Sequence, residues 1–95
     1  MQYKIYDIQE MENAIKALNE ISRIQKEHKL EDNYYQMIAA ALKDVSIDTA
    51  GIIIKHTDIN ETGIAIIFEE LGISRDYVIE IAKRIIDERK SADNE

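Results

Sequence analysis

The sequence predicts an all-α fold, a small bundle of four to five helices. Three observations predict it: apolar residues recur at helical spacing over most of the chain, capping residues precede the periodic segments, and the 95 residues include no proline and only three glycines. With 45% apolar and 33% charged residues, the composition is that of a folded domain and not of a disordered segment. The length suits a single domain, assigned to residues 1–90, with a small polar tail at 91–95 expected to fray.

The first helix is the clearest. Asp7 is placed to cap it, Glu10 three residues later completes a capping box, and Ile8, Met11, Ile15, Leu18, Ile21 and Ile24 recur at helical spacing. It should end near His28, where Lys26, His28 and Lys29 set positive charge against the negative end of the helix dipole. A second helix is expected from about Asp32 to Lys43. Its stripe is Tyr34, Ile38, Ala41, Leu42 and Val45, with Tyr34 in the core and Tyr35 at its rim.

Residues 46–71 allow two readings, because two isoleucine-rich runs separated by polar residues fit either two helices or a hairpin. In the hairpin reading, Ile52 to Thr57 pairs with Ile64 to Glu69, and the fold becomes α+β with a hairpin at 52–69. The helical reading is preferred, since Glu69-Glu70-Leu71-Gly72 is poor strand material and resembles a helix C-terminus. Ser46 or Asp48 then starts one helix, and Asp58 or Asn60 starts another, in which Ile64, Phe68 and Leu71 share a face. A last helix follows from Arg75, capped by Ser74, to about Lys90.

The stretch from Ile64 to Lys83 resembles a helix-turn-helix in its apolar spacing, with Leu71 and Ile73 around Gly72 and then Val78 and Ile81. This likeness implies a helix-turn-helix-like C-terminal half, with a DNA-reading helix that starts at Ser74 and Arg75 and continues to Lys83. The sequence departs from the pattern in two places. Phe68 stands where a small residue usually lets the helices approach, and the exposed face of the second helix sets Arg75 against Asp76 and Glu80.

Charge bears on the choice of partner. The net charge is −7, and residues 31–73 carry eight acidic side chains against two basic ones. Phosphate neutralisation supplies most non-specific affinity for DNA, so nucleic acid is not the expected partner. Lys83, Arg84, Arg89 and Lys90 alternate with Asp87 and Glu88, which reads as a solvated face with weak ion pairs.

Several chemistries lack their residues. The chain has no cysteine, and neither histidine has a carboxylate three residues before it, the spacing a helical metal site needs. His56, Asp58 and Glu61 read as a polar turn. The isolated glycines exclude a phosphate loop, and the serines fall in helices, caps and tail without a paired base. No enzyme activity, cofactor or metal is expected. The first residues lack the basic-then-apolar order of a signal peptide, and no window reaches about 20 apolar residues, so a soluble, cytoplasmic protein without a membrane partner is expected.

The expected function is that of a small acidic protein-binding module, an inhibitor or adaptor. It resembles in type the compact acidic antagonists of nucleic-acid-handling proteins found in phage and mobile elements, anti-CRISPR proteins among them. Glu31, Asp32, Asp44, Asp48, Asp58, Glu61, Glu69 and Glu70 are the candidate surface for a basic partner protein. The last helix carries more apolar residues than one stripe requires, so Tyr77, Ile79 and Ile86 are expected to join two copies in a homodimer. The alternative is a dimeric transcription regulator that reads DNA with Ser74, Arg75 and Lys83.

Overall fold

The computed structural model describes residues 7–93, which form five helices and, among the described residues, no strand. They are α1 (Ile8–Glu27), α2 (Tyr34–Ala41), α3 (Ile47–Lys55), α4 (Glu61–Glu70) and α5 (Arg75–Asp93). The hairpin alternative for residues 52–69 is therefore excluded in favour of two helices. Their starts follow from capping: the Ser46 side chain accepts the Thr49 N–H, and the Asn60 side chain accepts the Gly63 N–H. The end of α4 follows from Gly72, whose φ of +81° lies in the left-handed region. There Gly72 N–H donates to Glu69 O at 2.9 Å and Ile73 N–H to Phe68 O at 3.3 Å, the paired bonds of a Schellman turn.

Helix α4 packs on both α2 and α5, while α1 lies against α2 and α3 against α5. Phe68, Ile64 and Ile67 of α4 are fully buried, together with Ile38 and Leu42 from the second helix and its end, Ile54 of α3 and Val78 of α5. Phe68, the residue that breaks the helix-turn-helix pattern, is thus part of the core. The close helix approach occurs instead at Gly63. A Cβ there would lie 2.5 Å from Tyr35 Cε1 and 2.6 Å from Ile59 Cγ2, so α2 and α4 meet across a position that has room for glycine alone.

Helix α2 begins two residues later than expected, without a side-chain cap at Asn33, and its stripe is otherwise as read, with Tyr34 buried and Tyr35 half-buried. Helix α5 runs through Asp93, beyond the expected end at Lys90. Asn94 and Glu95 of the expected tail lie outside the described residues.

The first helix differs most from its sequence reading. Asp7 caps it by accepting the Gln9 N–H, but only Ala17, Ile21 and Ile24 are buried. Ile8, Met11, Ile15 and Leu18 are 74%, 54%, 55% and 46% exposed. At about 100° per residue, these four occupy an arc some 130° round the helix from Ala17, Ile21 and Ile24. The six residues read as one stripe are two, and the body covers one of them.

Candidate interaction surfaces

Two charged residues lie in register with buried stripes and tie helices together. Glu10 follows the Ala17–Ile21–Ile24 side of α1 and meets the start of α3. Its Oε1 accepts the Ser46 N–H at 3.1 Å and the Thr49 hydroxyl at 3.0 Å. The expected capping box with Asp7 is therefore not formed by Glu10, whose carboxylate completes the cap of α3 instead. These bonds, the Ser46 N–H first, hold the Glu10 carboxyl below its ordinary value of 4.5. Arg89 continues the Val78–Ala82–Ile85 stripe of α5 to the far end of α3. Its guanidinium donates to the carbonyls of Lys55 at 3.1 Å, Ile59 at 2.8 Å and Ile54 at 2.5 Å. Arg89 is thus no member of a solvated face. It bonds the Ile54 and Lys55 carbonyls in the last turn of α3, where a helix end leaves carbonyls without intrahelical partners, and the Ile59 carbonyl in the connection to α4.

The eight candidate acidic residues are all exposed, but their surroundings sort them. Asp58 is engaged by its own chain, receiving Lys29 Nζ at 2.8 Å and Gln25 Nε2 at 3.0 Å. The Lys29 bond is the main reason that the Asp58 carboxyl titrates below its ordinary 3.8, while the same bond raises Lys29. Glu31 contacts His28. Asp48 and Glu61 stand in the first turns of α3 and α4, where the helix dipole favours a carboxylate. Asp32 lies in the α1–α2 connection and Asp44 in the α2–α3 turn, where its carbonyl accepts Asn13 Nδ2 at 3.2 Å. Glu69 and Glu70 are different. They occupy the last turn of α4, which has no basic residue, at the negative end of the dipole.

The residues of the DNA-reading alternative, Ser74, Arg75 and Lys83, are exposed along α5 and its start, together with Asp76 and Glu80. Of the three expected dimer residues, Ile79 and Ile86 are seven residues apart and lie on one side of α5, while Tyr77 lies on the other. Tyr77 and Ile79 are half-exposed on opposite sides of α5, while Ile86 packs against the chain's own core. Tyr77 lines a groove of about 230 Å³ between α3 and α5, with Ile47, Gly51, Ile52, Ile81 and Arg84 among the other residues around it. This groove was not read from the sequence. A glycine in mid-helix was its one signal.

Among the described residues, no group of three or more His, Asp or Glu side chains is arranged to hold a metal ion, His56, Asp58 and Glu61 included. None of the described helices is long and apolar enough to cross a membrane. No family model, curated protein or solved structure matches this chain.

Proposed function

We propose that this protein is a binding module, an inhibitor or adaptor, that presents the end of α4 and the Gly72 turn to a basic surface of another protein. The observation that carries this reading is the position of Glu69 and Glu70. Two carboxylates at the negative end of a helix oppose the dipole, each at a typical local cost of ~0.3–1 kcal/mol, and neither forms an ion pair among the described residues. Nothing in the fold asks for them. A basic partner would turn this local cost into affinity and a faster encounter.

The turn also supports the second reading, because α4, Gly72 and α5 follow in helix-turn-helix order. The charge around it favours the first. Glu69, Glu70, Asp76 and Glu80 outnumber Arg75 where phosphates would approach.

Affinity capture from extracts of the source cells tests the proposal, comparing the natural protein with the double variant Glu69→Lys, Glu70→Lys and with Asp32→Lys. The expected result is a basic protein that the natural chain and Asp32→Lys retain and the double variant loses. Equal capture by all three, or recovery of nucleic acid dependent on Arg75, would overturn it.

A further inference from the structure

The histidine at the end of α1 uses both ring nitrogens to join two elements. His28 is the C-cap of α1, where its backbone N–H donates to the Ile24 carbonyl at 2.8 Å. Its Nε2 lies 3.2 Å from a guanidinium nitrogen of Arg23 on α1, and its Nδ1 contacts the Glu31 carboxylate in the connection to α2. The chain Arg23–His28–Glu31 thus runs from the last turns of the helix into the turn that follows it.

The chemistry of the two neighbours decides where the ring proton sits. A guanidinium only donates, so Nε2 is the acceptor with its lone pair free; an ionised carboxylate only accepts, so Nδ1 carries the hydrogen. His28 in this arrangement is neutral and in the Nδ1–H form. A second proton would enter at Nε2. There it would turn the acceptor into a donor facing another donor and set two positive charges side by side. The Arg23 bond and the protonated ring exclude each other.

We propose that His28 is a proton-operated switch at the α1–α2 connection, whose neutral ring ties Arg23 to Glu31 and whose protonated ring keeps Glu31 and releases Arg23. The released guanidinium has other partners at hand, since Glu20 and Glu27 of α1 already share it. Glu20, Glu27, Glu31 and the negative end of the α1 dipole favour the second proton, and Arg23 opposes it. Of the other charged groups at this end of the body, Lys29 and Asp58 bond each other at 2.8 Å, and Asp32 is exposed in the connection. The proton changes charge and tether together. Three carboxylates against one guanidinium give the cluster −2 with a neutral His28 and −1 with a protonated one. Histidine is the side chain that makes such an exchange in the range of roughly pH 5–8. The switch uses neither Glu69 nor Glu70, and it stands or falls apart from the binding of a basic protein.

NMR of the ring nitrogens in the full chain across roughly pH 5–8 tests it, with His56 at the end of α3 as the internal reference. At the upper end of that range His28 is expected in the Nδ1–H form, a measurement that needs no substitution. The Arg23 side-chain signals and the amides from Lys29 to Asp32 should shift with the same midpoint as the ring. Arg23→Met should raise that midpoint and admit the Nε2–H form, because the donor and the opposing charge are both gone. Glu31→Gln should lower the midpoint and keep the Nδ1–H form, because the acceptor stays and its charge is lost. Arg23 and Glu31 are exposed, so both variants should fold, and helical circular dichroism checks this. His28→Gln should abolish the shifts of the connection amides. An Nε2–H ring in the natural chain would overturn the proposal. So would a midpoint indifferent to Arg23→Met, or connection amides that still shift in His28→Gln.

Discussion

Glu10 and Ser46 are 36 residues apart, and the Glu10 carboxylate accepts the Ser46 backbone N–H at 3.1 Å, joining the start of α1 to the start of α3. Because this bond lowers the Glu10 pKa from 4.5, its contribution to stability is fully present above that value. It is lost as pH falls through the lower, folded-state pKa. Asp58, lowered from 3.8 by Lys29, acts in the same direction over a slightly more acidic window. Chemical denaturation of the natural chain and Glu10→Gln is expected to show a less stable variant at neutral pH. The two curves should converge as pH falls below 4.5 and through the lowered, folded-state pKa. A difference independent of pH would mean that Glu10 acts through packing alone.

Removing the Arg89 guanidinium should be the most damaging single change on α5 outside its apolar stripe. Arg89→Ala removes the side-chain donor from the Lys55 and Ile59 carbonyls and one of the donors to Ile54, whose carbonyl keeps the Thr57 N–H and hydroxyl. The expected loss is about 2–3 kcal/mol, on the order of 10 °C in thermal midpoint for a domain of this size. Arg89→Lys should recover only part of it, because one ammonium cannot reproduce a fork aimed at three carbonyls. Thermal unfolding followed by circular dichroism measures both.

The same substitution at two glycines should have opposite effects. Gly63→Ala drives a methyl group into Tyr35 and Ile59 and is expected to destabilise by about 1–3 kcal/mol. Gly51→Ala adds a methyl group in open space on a helix and should stabilise the single chain by about 0.5–1 kcal/mol. Denaturant midpoints at low protein concentration, where self-association does not contribute, give both signs.

Duplex DNA should not bind appreciably at physiological salt. The start of α5 offers Arg75 amid Asp76 and Glu80, and each phosphate left without a cation removes part of the counterion-release contribution. Titration of mixed-sequence duplex across a salt series checks this. Sub-micromolar affinity near 0.15 M salt, lost on Arg75→Ala, would select the regulator.

What the sequence made legible were the features that act locally. Asp7, Ser46, Asn60 and Gly72 each begin or end a helix through bonds within four residues of themselves, so their roles could be read from order along the chain. The partners of Glu10 and Arg89 are 30 or more residues away, and spacing along one helix does not name the neighbour it faces. A signal was nonetheless present, since each is a charged residue in register with a buried stripe, where it needs a polar partner. The division of the α1 stripe was less accessible. A helix with apolar residues over a wide arc is compatible with one broad burial or two separate faces, and only the arrangement of α2 decides between them. The acidic surface was legible as charge but not as geometry: of its eight residues, Asp58 and Glu31 have partners in their own chain and Asp48 and Glu61 complement helix dipoles.

The exposed ridge of α1 also sets how that segment fluctuates in the single chain. Ile8, Met11 and Ile15 already face water, so unwinding the first two turns uncovers little apolar surface that was hidden before. Sensitivity to denaturant scales with newly exposed area, and the heat capacity of opening with newly exposed apolar area. Amide hydrogens from Met11 to Ile15 should therefore exchange through a local opening nearly indifferent to urea, while those of Ile64 to Phe68 exchange only through an opening that urea promotes steeply.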